Sequence, residues 1–215
     1  MMKKRMTALL LSLMLLLSAV CTVSAAQTTG FTDVPEGAYY YDAVNWAVEN
    51  DITQGVGDGQ FQPSVICKRA QVVTFLWRLA GKPVAGGKSA FTDVPEDAYY
   101  NDAVNWAVKK DITQGTGDGQ FQPDGTCSRA QIGTFLWRYA GEPASNAKTP
   151  FTDVPEGAWY ADAVAWAVEQ GITTGKTNTT FEPTEPCNRA QVVTFLYRYA
   201  NIEPPVDDPN MGEWA

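Results

Sequence analysis

A helix-forming segment occurs three times in this chain, 60 residues apart, and this repeat constrains the fold more than any other feature. The copies are KRAQVVTFLWRLAG (68–81), SRAQIGTFLWRYAG (128–141) and NRAQVVTFLYRYAN (188–201). In the first copy Val72, Phe75, Leu76 and Leu79 have the i, i+3, i+4, i+7 spacing that lines one face of an α-helix with apolar groups. The pattern predicts three equivalent helices that bury the same face.

The ends of these helices are also indicated by the sequence. Ser128 and Asn188 are good N-cap residues, and the Gln three positions later in each copy completes a capping box. Lys68, at the same position in the first copy, lacks a capping oxygen. At the other end stand residue types that tolerate the left-handed C′ position, namely Gly81, Gly141 and Asn201.

The repeated unit extends to the N-terminal side of this helix. Residues 31–63 and 91–123 are identical at 28 of 33 positions, and a third copy begins at Phe151. Apolar residues at helical spacing predict a first helix at about residues 38–50 of the first unit, with its tryptophan in the core. Ile52 and Phe61, in the loop that follows, are expected to enter the core as well. The three tryptophans are Trp46, Trp106 and Trp166.

Two helices and a loop in 60 residues expose more apolar surface than one unit can cover. We therefore predict an all-α fold in which the three units pack on one another. Residues 31–81, 91–141 and 151–201 form the units, and residues 202–215 form a Pro-rich acidic tail.

The first 26 residues have the features of a secretory signal peptide. Lys3, Lys4 and Arg5 precede an apolar run at residues 8–20, and small residues follow at 23–26. The run is shorter than the roughly 20 apolar residues that a membrane span needs. We expect a secreted protein, with no membrane insertion after cleavage.

Composition narrows the possible functions. Without the three basic residues of the leader, 13 Lys and Arg remain against 24 Asp and Glu, a formal net charge of −11. Such an acidic surface argues against nucleic acid as a partner. The absence of histidine removes the commonest general base and transition-metal ligand. We therefore expect no enzyme, no cofactor and no metal.

Three arginines occupy the first position of the repeated helix: Arg69, Arg129 and Arg189. The helix dipole disfavours a cation there, but the unpaired backbone N–H groups at the same end accept a carboxylate or phosphate. We interpret the three arginines as anion-binding residues. The alternative is that each pairs with a nearby Asp or Glu of the same protein.

Other recurring residues are weaker candidates, because each has a local explanation. Asp33, Asp93 and Asp153 are typical of Asx turns or helix caps. Gly55, Gly115 and Gly175 recur where a positive φ or a close backbone approach requires glycine. Tyr40, Tyr100 and Tyr160 could stack on a sugar, although burial is the simpler expectation.

The cysteines and the GDG segments invite a metal interpretation that we reject. One cysteine per unit is a weak zinc pattern, and we predict buried packing residues at Cys67, Cys127 and Cys187. The GDG segments lack the alternating oxygen ligands and terminal Glu of an EF-hand, so they are predicted to be turns.

The repeated unit closely resembles the S-layer homology (SLH) repeat of bacterial surface proteins. The resemblance rests on FTDVP, an aromatic-rich helix, I-T-x-G, G-x-F-x-P in the first two units and R-A-Q-x-x-T-F-L. The resemblance covers residues 31 to about 200. It implies a pseudo-threefold, spindle-like, all-helical trimer of repeats, whose grooves hold secondary cell-wall polysaccharide, commonly through a terminal pyruvylated sugar. The Thr-Arg-Ala-Glu motif of that family, whose Arg faces the ligand, matches residues 68–71, 128–131 and 188–191, with Gln in place of Glu and Lys, Ser or Asn in place of Thr.

The resemblance implies a non-catalytic wall-binding module at the cell surface, in the wall or S-layer. Binding is assigned to the three arginines, with the aspartates and glycines above as further candidates. Modified peptidoglycan or an acidic segment of another protein are alternative partners. A glycan-cleaving enzyme is least favoured, because the acids repeat with the units instead of forming one catalytic pair. We also expect a triple Arg→Ala variant to lose wall binding while keeping its helix content.

Overall fold

A computed structural model describes residues 30–201, and the predicted signal peptide and acidic tail lie outside these residues. The described chain contains six α-helices and no sheet, only isolated β-bridges. Within residues 30–201, no helix combines the length and apolar character needed to cross a bilayer. The helices are α1 (Tyr41–Glu49), α2 (Arg69–Leu79), α3 (Asn101–Lys109), α4 (Arg129–Tyr139), α5 (Ala161–Glu169) and α6 (Arg189–Ala200).

The repeated helices α2, α4 and α6 begin at the predicted arginines. In α4 the Ser128 hydroxyl accepts from the N–H of Gln131 at 3.3 Å, and the Gln131 side chain accepts from the N–H of Ser128 at 3.0 Å. Lys68 keeps only the second half of this box, because its side chain has no acceptor. Gly81 and Gly141 adopt the left-handed conformation at φ 79° and 86°. Asn201 does not, since its φ is −102° and α6 continues through Ala200.

The first helix of each repeat is shorter than predicted. In the first repeat α1 starts at Tyr41 instead of residue 38, because the preceding residues form successive i+3 turns. The N–H of Ala38 donates to Pro35 O at 3.2 Å and that of Tyr41 donates to Ala38 O at 2.9 Å. Such bonds define turns, not the i+4 ladder of an α-helix.

The repeats pack through contacts between the first helix of one repeat and the second helix of another. Helix α3 packs against α2, α5 against α4, and α1 of the first repeat packs against α6 of the third. Each first helix thus covers the second helix of another repeat, and the first and third repeats close a ring. These contacts between helices of different repeats agree with the prediction from apolar surface, while the pseudo-threefold, spindle-like trimer stays a prediction.

Backbone hydrogen bonds among the three cysteines close the same ring. The N–H of Cys67 donates to Cys187 O at 2.9 Å, that of Cys127 to Cys67 O at 3.3 Å, and that of Cys187 to Cys127 O at 3.0 Å. All three thiols are free and buried, as predicted. Burial raises the pKa of Cys67 to about 12 and that of Cys187 to about 11. Among the described residues, no group of Cys, Asp or Glu is arranged to hold a metal ion.

Loop residues complete the core. Ile52 and Phe61 are fully buried, which confirms that both enter the core from the loop after α1. Trp106 and Trp166 are also buried, whereas Trp46 is partly exposed and packs edge-on against Tyr197 at a ring separation of 5.6 Å.

Candidate functional site

The three helix-initiating arginines reach across to another repeat. The Nε–H of Arg69 donates to Phe121 O at 2.9 Å, and its guanidinium lies over the Phe121 and Phe135 rings at 4.9 and 5.6 Å. Arg129 makes the same bond to Phe181 O at 2.6 Å, and Arg189 to Phe61 O at 2.8 Å. The third bond returns to the first repeat, so the three arginines link all three repeats.

These arginines are almost entirely covered, and within the described part of the chain they have no acidic partner. Their exposed fractions are 3%, 6% and 3%, and none of the ion pairs found within residues 30–201 includes them. Backbone carbonyls and phenylalanine rings surround the charge instead. Burial lowers the pKa of Arg69 and Arg189, because desolvation penalises the charged form. Residues 30–201 thus offer no acid that pairs with these arginines, and the arginines contribute to packing between repeats.

The repeated aspartates hold the loop that the arginines contact. The carboxylate of Asp33 accepts from the N–H groups of Phe61 and Gln62 at 2.9 and 2.7 Å. The prediction of a local Asx turn or helix cap was wrong, because these partners lie 28 and 29 residues away. Since Arg189 binds the carbonyl of Phe61, Asp33 positions the acceptor of that arginine. The same paired bonds recur at Asp93 and Asp153.

The repeated glycines are required by the same loop. Gly55 has a φ of 79°, and a Cβ there would lie 2.5 Å from both Gln60 O and the Phe31 ring. Both reasons given from the sequence, a positive φ and a close approach, therefore apply. Gly115 and Gly175 are in the same situation, at φ 82° and 84°.

A cavity of about 390 Å³ lies where the three repeats meet beside Arg129. We call it the third groove, because most of its walls come from the third repeat. The first repeat contributes Tyr39 and the second contributes Arg129. The third repeat supplies residues 172–176 of its loop and one face of α6, namely Gln191, Thr194, Phe195 and Arg198. Of the predicted site residues, the groove brings together Arg129 and Gly175.

The third groove is positively charged within an acidic protein. Arg129 lies at its buried side, while Arg198 and Lys176 are exposed. Arg198 also donates to Ile172 O at 3.1 Å, which attaches α6 to the loop. None of the described residues that line the groove is acidic. This arrangement can hold an anion by charge-assisted hydrogen bonds.

The family model for the S-layer homology domain matches residues 30–73, 90–132 and 150–193. The chain therefore belongs to the S-layer homology family. Its predicted all-α fold and tandem SLH repeats are confirmed.

Several similar proteins have names that refer to the cell surface, the S-layer or anchoring. A cell surface protein of Thermoanaerobacter kivui is 36% identical over 143 residues, covering 64% of this chain and 19% of that protein. An S-layer protein of Bacillus thuringiensis subsp. finitimus is 26% identical over 189 residues, with coverages of 84% and 22%. A cellulosome-anchoring protein of Acetivibrio thermocellus is 26% identical over 154 residues, with coverages of 67% and 34%. The chain spans about a fifth to a third of the length of these proteins. The similarity supports a cell-surface location and an anchoring module.

Several groove residues of this SLH chain were not predicted from the sequence. Tyr39 is 66% exposed and lines the groove, whereas the prediction named its neighbour Tyr40. The available signal was the run of three tyrosines at 39–41, because three consecutive side chains cannot all face the core. Burial raises the pKa of Tyr39, while Arg129 and Arg198 oppose the shift, as expected of nearby cations. Other lining residues that were not predicted as site residues include Thr173, Lys176, Gln191 and Arg198.

Proposed function

We propose that this chain is a non-catalytic module that binds an acidic glycan of the bacterial cell wall through the third groove and its counterparts. The observation that carries the proposal is a cavity with Arg129, Arg198 and Lys176 around it, no acidic residue in its lining, and an exposed aromatic ring at its edge. A binding site for an anion is otherwise unexpected in a chain with a formal charge of −8.

The groove suits a sugar that carries a carboxylate. Its volume lies within the range of small-molecule sites, roughly 300 to 1,000 Å³. A carboxylate placed beside Arg129 and Arg198 would accept charge-assisted hydrogen bonds from planar donors. Thr173 and Gln191 offer neutral polar groups for hydroxyls, and the Tyr39 ring offers a face for the apolar side of a pyranose. A pyruvate ketal supplies a carboxylate of this kind.

The other repeats provide the corresponding residues at the other two interfaces. Arg189 and Arg78 match Arg129 and Arg198 in the 60-residue register of the first repeat, and Arg69 and Arg138 match them in the second. Several weak sites on one rigid chain would raise retention on a polymer through effective concentration.

A glycan-cleaving activity fits this groove poorly. Glycosidases need two carboxyl groups roughly 5 to 10 Å apart across the substrate, and the described lining of the third groove contains none. Relatives with enzyme names match this chain over only 9% and 16% of their lengths. The comparison therefore favours an anchoring role for the shared SLH part.

Sedimentation with purified sacculi tests the proposal. We expect the chain to pellet with sacculi that carry a pyruvylated secondary polymer, and to stay in solution when the polymer has been stripped. Sacculi from a strain unable to pyruvylate the polymer should also fail to retain it. Equal retention on stripped sacculi would contradict the proposal and favour peptidoglycan.

A matched pair of variants links this binding to the groove. Tyr39→Ala removes an exposed ring from the groove edge, and we expect retention to weaken about fivefold, the effect of roughly 1 kcal/mol from one aromatic contact. Val84→Ala is the control, because Val84 is 97% exposed and lies outside the groove lining. Equal binding by both variants would exclude the third groove as the binding site.

A further inference from the structure

The chain leaves α6 differently from the way it leaves the two matching helices. Gly81 and Gly141 follow α2 and α4 in the left-handed conformation, at φ 79° and 86°, whereas Asn201 has a φ of −102°. The linkers of the first two repeats are also tied back, since a tryptophan indole N–H donates to the carbonyl of a proline six residues later, at 2.9 Å in each case. Tyr197 replaces that tryptophan in α6 and has no indole N–H. The two features that direct the linkers are therefore missing after α6.

The third groove lies beside the point where the acidic tail begins. Its wall includes Arg198, which is in the last turn of α6 and three residues before Asn201. At a rise of 1.5 Å per residue, the part of this wall from Gln191 to Arg198 is about 10 Å long. An extended chain covers about 3.3 Å per residue, so the six residues 202–207 span up to about 20 Å. Asp207 can therefore reach the whole length of this wall.

The tail and the third groove have opposite charges. Lys176 in the groove lining has Glu182 at 3.9 Å, which offsets part of its charge. Arg129 and Arg198, in contrast, have no ion pair within residues 30–201, and no described residue of the lining is acidic. The two arginines are therefore the cations that attract a carboxylate most strongly. The tail has no Lys or Arg and four acidic residues, namely Glu203, Asp207, Asp208 and Glu213.

Attachment to α6 makes even a weak contact effective. A ligand joined by a short linker has an effective concentration in the millimolar range, so a contact with a Kd of about 1 mM is formed in about half of the molecules. We propose that the acidic tail occupies the third groove, with the carboxylates of Asp207 and Asp208 facing the two arginines, and that a wall glycan must displace it. The displacement rests on the proposed function, whereas the contact between tail and groove does not.

Carbodiimide cross-linking of the full chain tests the contact. The reagent activates a carboxylate, the amine of Lys176 attacks it to form an amide, and the carboxylate oxygen leaves with the carbodiimide as a urea. We expect most cross-links between the tail and a lysine to join Asp207 or Asp208 to Lys176 of the same molecule. Their yield should fall at least about fivefold in about 1 M salt, which screens the attraction.

The control amine for this experiment is Lys88, which is exposed and lies outside the groove lining. Cross-links from the tail to Lys88 that are as frequent as those to Lys176 would overturn the inference. Cross-links that form only between two molecules would overturn it as well. Neither result would affect the proposed function, because the experiment contains no glycan.

Sedimentation with sacculi tests the displacement. Asp207→Asn combined with Asp208→Asn removes two tail charges, and we expect at least about twofold stronger retention, since a tethered competitor at its own Kd halves the apparent affinity. Asp58→Asn combined with Asp118→Asn is the control, because these aspartates are exposed, lie outside the groove lining and have φ values near 50° that Asn tolerates. Equal retention of the two double variants would overturn the displacement. Failure of every variant to bind sacculi would contradict the proposed function, while the cross-links still decide the contact.

Discussion

Replacing Arg69 by Met tests whether the buried arginines hold the repeats together. Methionine keeps an unbranched stem but removes the charge and the Nε–H donor, which leaves Phe121 O without its 2.9 Å partner. An unsatisfied buried acceptor costs about 1–3 kcal/mol. Loss of the charge over the Phe121 and Phe135 rings costs about 0.5–2 kcal/mol more.

One effect opposes this loss. Arg69 is 3% exposed and has no acidic partner within the described part of the chain, so its charge carries a desolvation penalty that Met removes. That penalty lowers the pKa of Arg69. The guanidinium nevertheless remains charged, with its donor bonded and its face covered by rings, which offsets much of the penalty. We therefore expect a net destabilisation of about 2–4 kcal/mol.

Urea unfolding, followed by tryptophan fluorescence, measures this difference. Lys68→Met is the matched control, since Lys68 is the adjacent cation and its ion pair with Asp124 is exposed on both sides. We expect the control to lose less than about 1 kcal/mol. An unchanged or higher stability of Arg69→Met would show that desolvation outweighs the bonds, and would refute the packing role of the arginines.

Three further predictions concern two glycines and the thiols. Gly55→Ala should destabilise the chain by about 1–3 kcal/mol, because of the positive φ and the contacts at 2.5 Å. Gly133→Ala should stabilise it by about 1 kcal/mol in the same urea assay, since a Cβ in that helix meets nothing within 4 Å. Burial raises the pKa of Cys67 to about 12 and that of Cys187 to about 11, against an ordinary thiol pKa of 9.0. Because these thiols hold their protons more tightly in the folded state than in the unfolded state, they stabilise the fold fully below about pH 9. This stabilisation is lost as the pH rises towards 12, so the free energy of unfolding should fall across this range. The decrease in unfolding free energy between pH 9 and 12 should be smaller in Cys67→Ala. An equal decrease in this variant would show that the Cys67 thiol does not cause it.

The helices were predictable because their causes are local. Apolar spacing, Ser128 or Asn188 at the N-cap, and glycine after the last turn all act within a few residues, and α2, α4 and α6 begin where these features place them. The turns before α1 were not foreseen, since residues 38–40 continue the helical apolar pattern while their backbone forms i+3 turns.

The partners of the charged residues were not predictable from the sequence. Asp33 bonds N–H groups 28 and 29 residues away, and Arg189 bonds a carbonyl 128 residues away. Helix and turn propensities depend on residues a few positions apart, so they predict neither of these long-range hydrogen bonds. Charge counting left open whether each arginine pairs with an acid, but in Arg189 a carbonyl, the Thr53 hydroxyl and two rings surround the guanidinium. The need to bury apolar surface predicts that the repeats pack on one another, but it does not predict which helices pair. The pairing of α1 with α6 is visible only in the structure.

The positions of the arginines change how binding must be tested. The sequence suggested that a triple Arg→Ala variant would lose binding and keep its helices, but each arginine bonds another repeat and is at most 6% exposed. Loss of retention in that variant would follow equally from a broken site and from separated repeats. Tyr39 and Lys176 are exposed side chains at the groove edge, and neither belongs to the buried core. Their substitution can therefore weaken ligand binding without weakening the packing, and only such variants assign the function to the groove.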